Sequence, residues 1–288
     1  MSEKTHIRTC IDGAVGVIAI DRRDRFNSFD VETARDFREA GLRMARDAAV
    51  RAVVVRGEGG VFSSGADLKY IRAGGHTSDL DYLRGGGAPA AITPGAIFKQ
   101  ILEYLHSAIS EIRRAPKPFV AAVDGIAAAG GFGIAMACDL VFASERAAFE
   151  WAYGRTGLTG AESSTFLLPR LVGLRQAMAL LFLNPRLDAK AARDAGLVNE
   201  VFPNASFDAE VMAVAHRLAA GPTRAFAVAK GLINRAAGID RLDYHLDQEL
   251  EQLVRSADGA EFAEGLGAFF EKRAPAWSGA MEPADEVR

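Results

Sequence analysis

Residues 117–144, KPFVAAVDGIAAAGGFGIAMACDLVFAS, set a branched apolar run against a knot of alanine and glycine. A second apolar segment then runs without a charge to Asp139. FVAAV reads as a buried strand, and the segment after the knot reads as a buried helix. Small residues between them let the backbone approach another group closely, and glycine adds access to positive φ. Such a strand–turn–helix start leaves backbone N–H groups unpaired at the helix N-terminus, where the dipole favours negative charge.

The flanking sequence extends this pattern in both directions. HIRTCIDGAVGVIAI (6–20) reads as two short strands around Asp12-Gly13, and RAVVVRG (51–57) as a buried strand closed by glycine. Between them, VETARDFREAGLRMARD has apolar residues at helical spacing. KQILEYLHSAISEIRRA (99–115) predicts an amphipathic helix stopped by Pro116 and Pro118. Residues 72–95, rich in glycine, read as a mobile loop that shapes a pocket. LVNEVFP after Gly196 reads as an edge strand, and from Asp208 onward the pattern is almost wholly helical. The expectation is an α/β core over 1–205 and a helical oligomerisation region over 206–288.

With 49% hydrophobic residues among 288, the chain can bury a large core. A net charge of −3 excludes a global field toward nucleic acid or anionic membrane. Cys10 and Cys138 are too few for a disulfide framework, and the N-terminus lacks the apolar core of a signal peptide. Asp124 and Asp139 interrupt the longest apolar stretch, which argues against a membrane span. A soluble, cytoplasmic protein is expected. The histidines are scattered without metal-ligand spacing, so no metal site is expected.

The negative charge at the Gly/Ala turn has two chemical readings. A dinucleotide phosphate would ask for a complete glycine fingerprint, but after Gly131 and Gly133 the third position is Met136. An oxyanion fits better, because GGVFSSGADLKYI (59–71) is a second small-residue turn after a buried strand. Two turns offering one N–H each would form a two-donor oxyanion hole. Either turn alone reads better as a tight turn packed on a neighbour; the two together are what make the oxyanion reading specific.

FSSGADLKYI, followed by the quoted stretch, resembles the crotonase superfamily, the enoyl-CoA hydratases and isomerases. The resemblance extends to RFNSF (25–29), GLTGAESSTFLLPRLVG (157–173), DAKAARDAGLVNEVFP (188–203) and FFEKRAPAW (269–277). It implies a spiral of ββα repeats with a helical C-terminal region, assembled as a homotrimer or dimer of trimers. It also implies an acyl-CoA thioester substrate, with coenzyme A entering only as part of that thioester. The thioester oxygen would be held by the N–H groups of Ala66 and Gly130. Arg25, Ser64, Asp67, Leu68 and Lys69 would lie along the substrate, Arg25 and Lys69 toward its phosphates and Asp67 also serving the turn. Phe132 and Trp151 would wall the acyl pocket, and Phe269 and Lys272 would meet the adenine end.

Acid–base groups separate the family's reactions. The positions of the two hydratase glutamates fall on Gly133 and Tyr153, so ordinary two-glutamate hydration is not expected. The isomerase branch uses one carboxylate in the turn after GL; its ungapped equivalent is Ala161, with Glu162 one place later. Glu162 is therefore the candidate proton shuttle, though it reads also as a first-turn acid complementing the helix dipole; Tyr153 is a candidate hydrogen-bond donor and Glu150 a weaker candidate acid. Hydration or hydrolysis with an atypical acid, and non-catalytic acyl-CoA binding, stand as the other readings.

Overall fold

The computed structural model describes residues 5–76 and 92–277. Most of the loop expected over 72–95, and the end of the helical region, lie outside the described residues. Strands β1 (Ile7–Asp12) and β2 (Val15–Ile20) form the expected hairpin, and helix α1 (Val31–Arg46) follows. The Asp30 side chain caps α1 by accepting from Thr33 N–H at 2.8 Å. Next come β3 (Ala52–Gly57), a short α2 (Leu68–Arg72) and α3 (Pro94–Arg114). Helix α3 starts earlier than its periodicity indicates, because Thr93 caps it and Pro94 opens it.

The quoted stretch becomes β4 (Phe119–Val123), β5 (Ile126–Ala128), α4 (Gly130–Ala137) and β6 (Leu140–Ser144). The short β5 between the expected strand and helix is the structure's addition. After β6 come β7 (Ala148–Glu150), α5 (Ser164–Val172), α6 (Leu174–Leu183), β8 (Leu187–Asp188), α7 (Ala189–Asp194) and β9 (Glu200–Phe202). The main sheet has the order β1-β2-β3-β4-β6-β9, parallel except for the first pair, and β9 is its expected edge. A second sheet has the order β5-β7-β8.

Those short strands give the fold its spiral. After β4 and after β6 the chain leaves the main sheet and adds β5 and β7, which pair in parallel. The segment after β3 behaves alike, since Ser63 bridges to Ala127, and Phe29 after β2 bridges to Ala66. Each turn of chain thus stacks its small-residue segment on the next. Gly125 permits this stacking, because a Cβ on it would lie 1.9 Å from the Gly60 carbonyl oxygen.

Four helices complete the described chain: α8 (Phe207–Ala220), α9 (Thr223–Ala236), α10 (Leu242–Ala257) and α11 (Ala260–Glu271). Alternate residues of the main sheet divide between its faces. Val15, Val17, Val54, Val120 and Phe142 pack with Phe207, Val211, Ala215 and Ala219 of α8. The opposite face, with Ile18, Val53, Val55 and Ala121, packs into the larger core shared with α1, α3 and α10. Helices beyond residue 206 therefore cover the core sheet as well as extending from it. No helix among the described residues is long and apolar enough to cross a membrane.

Candidate active site

The two small-residue turns meet. Gly65 has φ +85°, and a Cβ on it would lie 2.8 Å from Gly130 N and 2.9 Å from the Ala129 Cβ. Gly131 rests on the other turn as closely: its Cβ would lie 2.3 Å from the Ser63 carbonyl oxygen. Only glycine fits at such an approach. The Ala128 N–H donates to Ser63 O at 2.9 Å and locks the register. Asp67 N–H donates to Phe29 O, and Gly133 N–H to Ala129 O. The N–H groups of Ala66 and Gly130 between them donate to no acceptor among the described residues. Both residues line one cleft of about 310 Å³.

Backbone strain concentrates at this cleft. Phe26, Ala129, Ala152 and Glu162 line it, and each is a non-glycine residue at positive φ, between 46° and 63°. Each such conformation costs on the order of 1–3 kcal/mol and persists only when its surroundings over-determine it.

Glu162 is a buried carboxyl of the cleft with no cation paired to it among the described residues. Its Oε1 sits 2.7 Å from where a Cβ on Gly130 would be, so the acid lies against the start of α4. Tyr153 Oη donates to Glu162 Oε2 and, at 3.1 Å, to Ala161 O. Burial pushes the Glu162 pKa up to about 8; the Tyr153 hydrogen bond pulls it back and the nearby Glu249 charge adds to the rise. Burial and the same carboxyl hold Tyr153 well above its ordinary range, so it acts as donor and not as base.

Two distant side chains and one glycine shape the Glu162 turn, whose residues Glu162 and Ser163 have φ of 52° and 65°. The Glu162 N–H donates to His106 Nε2 at 3.2 Å. Burial drives the His106 pKa down to about 3, so this ring is a neutral acceptor. Ser163 N–H donates to Glu249 Oε2 at 2.8 Å, and Thr165 N–H to Glu249 Oε1 at 2.9 Å. Gly133 supplies the space: a Cβ there would lie 2.3 Å from Glu162 O and 2.8 Å from Glu162 Cβ. The position that the resemblance assigns to the first hydratase glutamate is therefore filled by the Glu162 turn itself. The second, Tyr153, is the hydroxyl that binds the Glu162 carboxyl.

Arg25, Ser64, Asp67, Leu68, Lys69 and Phe269 also line the cleft. Asp67 is buried there by other duties. It caps α2 at Lys69 N and Tyr70 N and accepts from Arg22 Nη1 at 2.7 Å. Arg22, paired also with Asp30 at 2.5 Å, is a buried ion-pair centre. Three expected substrate contacts do not line this cleft. Phe132 packs edge-on against Phe149, and Trp151 packs against Tyr153 and over Gly160. Both are core aromatics, because α4 and β7 turn them inward. Lys272 ends α11 in the left-handed conformation and lines a separate groove with Trp277. Glu150 reaches the cleft, but Arg155 Nε pairs with it at 2.6 Å.

Sequence reading overlooked Phe98, Leu158 and Leu253, the apolar walls of the cleft, which come from separate helices and turns. It also overlooked His106 and Glu249. Their signal is nonetheless present: Glu249 falls on the apolar stripe Leu242, Leu246, Leu253, Ala257 of α10, where a carboxylate needs partners.

Comparison with known proteins agrees with this architecture. Residues 11–86 and 94–280 match the family profile described as enoyl-CoA hydratase/isomerase. A probable enoyl-CoA hydratase of Rhodobacter capsulatus is 34% identical over 95% of this chain and 98% of its own. A 4-chlorobenzoyl coenzyme A dehalogenase of Arthrobacter is 33% identical over 93% of this chain and 91% of its own. The crystal structure of an enoyl-CoA hydratase from Mycobacterium avium subsp. paratuberculosis superposes with a TM-score of 0.82 at 31% identity, covering 96% of this chain and 99% of that one. The chain belongs to the enoyl-CoA hydratase/isomerase family, with the crotonase fold.

Proposed function

We propose that this acyl-CoA enzyme moves a carbon–carbon double bond through a thioester enolate, with Glu162 as the proton carrier. The observation that carries the reading is a buried carboxyl with no cation among the described residues paired to it, Glu162, lying against Gly130 in the cleft that Ala66 and Gly130, with their unspent N–H groups, both line. The carboxylate takes a proton from C2 of a 3-enoyl thioester, and the electron pair moves onto the thioester oxygen. The Ala66 and Gly130 N–H groups stabilise that oxyanion, each donor contributing about 3 kcal/mol. Glu162 returns the proton at C4, the double bond shifts, and no atom is gained or lost. A 1,2-epoxyphenylacetyl-CoA isomerase of Escherichia coli, 29% identical over 93% of this chain, supports isomerase chemistry on this scaffold. Against hydration stands the state of Glu150, the other glutamate of the cleft, which Arg155 engages.

In the same reading Arg25 and Lys69 at the cleft rim meet the CoA phosphates, and Phe269 its adenine end. The enzyme works in the cytoplasm as a homotrimer or dimer of trimers. Apolar side chains support assembly: Val228, Leu232 and Ile233 of α9, and Leu174, Phe182 and Leu183 of α6, are all more than half exposed in the single chain.

The test is incubation with 3-enoyl-CoA in D2O, followed by mass and double-bond position. Deuterium uptake with interconversion to 2-enoyl-CoA is expected. A mass gain of one water, or uptake that survives in folded Glu162→Gln, would overturn the reading.

A further inference from the structure

Glu249 lies outside the cleft yet touches the turn that carries Glu162 at several points. Helix α5 has no side-chain cap of its own, since Ser163 makes none. Both Glu249 oxygens replace it from α10: Oε2 accepts from Ser163 N, and Oε1 accepts from Thr165 N and Thr165 Oγ1. A carboxylate 4% exposed, with its lone pairs committed to three donors in this turn, holds residues 163 and 165 in place. Residues 162 and 163 sit in the left-handed region, so the turn needs such an external clamp.

We propose that Glu249 is the positioning residue of the reaction, fixing the Glu162 turn against Gly130. This rests on the reading of Glu162 as proton carrier. The titratable groups facing Glu249 are His106 Nε2 of α3 at 4.0 Å, His245 Nε2 of α10 at 3.8 Å, and Tyr153 and Glu162 themselves. His106 is held neutral by burial, and burial also lowers the pKa of the partly exposed His245. The charge facing Glu162 from this side is therefore the Glu249 carboxylate. Burial raises its own pKa to about 7, while the donors of α5 draw it down. Removing it takes away a like charge, so the Glu162 pKa should fall.

The experiment compares wild type, Glu249→Gln and Thr165→Val, which deletes the hydroxyl donor while keeping the backbone. Three readouts are taken: kcat and KM for 3-enoyl-CoA isomerisation across pH, calorimetric affinity for butyryl-CoA, and the Glu162 pKa by NMR of 13C-labelled glutamate. In Glu249→Gln, kcat should fall by about 10²-fold through misplacement of the acid. Butyryl-CoA affinity should hold, and the Glu162 pKa should move down. Thr165→Val should lower kcat in the same sense by a smaller factor, and it carries the test if Glu249→Gln does not fold. Wild-type kcat, or a kcat loss that comes with equal loss of butyryl-CoA affinity and an unmoved Glu162 pKa, would overturn the proposal. If Glu162→Gln retains isomerisation, the proton-carrier reading has failed by itself. The NMR titration then still decides whether Glu249 governs Glu162.

Discussion

Glu162 concentrates three unfavourable features in one residue: a buried acid, a left-handed backbone and a like-charged neighbour. Their common effect is a carboxyl with a pKa near 8 that gives up its proton close to working pH. As the base must be ionised, kcat/KM for isomerisation should rise with pH and level off above about 8. A profile flat from about pH 6 to 9 would contradict this assignment. Glu162→Gln should lower kcat by about 10²–10⁴-fold. The same substitution has a stability signature. An unfolded glutamate ionises near 4.5 and the folded one near 8, so its protonated form stabilises the fold below about 4.5, and this is lost as pH rises through about 8. The Tm of Glu162→Gln should therefore match wild type at acid pH and exceed it increasingly toward about pH 9, measured by calorimetry. Tyr153→Phe removes the bond that favours the carboxylate, so the kcat/KM limb should move to higher pH.

At the scale of elements, the site is a contact between the N-terminal ends of α4 and α5. Gly133 decides how close they come, because its missing Cβ would collide with the Glu162 carbonyl and Cβ. Gly133→Ala should destabilise by about 1–3 kcal/mol through overpacking and lower kcat by displacing Glu162. Unchanged melting and unchanged turnover together would show that the turn yields freely. Much of this element was legible in the sequence. The small-residue run at 128–133 and the Gly-Ala turn at 65–66 marked the two turns that meet, and the family resemblance named Ala66, Gly130 and Glu162 within this region. What could not be read was which aromatics face the cleft. Phe132 and Trp151 turn into the core, while Phe98, from the distant α3, supplies a wall. A helix periodicity tells which residues are apolar-facing, and not which apolar surface they meet.

Across the whole molecule, helices beyond residue 206 divide their tasks. Helix α8 seals the main sheet, α10 brings Glu249 to the turn that carries Glu162, and α9 has no buried residue. Polar clamps hold α9 to the core: Lys230 Nζ donates to Ile112 O and Asp139 Oδ2, and Asn234 Nδ2 to Arg113 O. Its apolar face at Val228, Leu232 and Ile233 is left for another surface. Leu232→Asp should shift the particle toward monomer in light scattering after size exclusion, with little loss of monomer Tm. A native mass unchanged by this substitution would place the subunit contact elsewhere.

The spiral and the assignment of the Ala66 and Gly130 N–H groups came from the family resemblance; the residues themselves spelled out the hairpin, the β9 edge and both small-residue turns. Those features are written in local terms: runs of branched residues, glycines where chain meets chain, and caps at helix starts. Only the tertiary structure decided that Glu162 lies against Gly130, that Tyr153 and Glu249 bear on it from opposite sides in sequence, and that Arg22 is a buried ion-pair centre. The reason is distance along the chain: Glu249 is 86 residues from Ser163 and His106 is 56 from Glu162. No local pattern encodes which buried charge will meet which turn; the packing of α3, α5 and α10 brings them together.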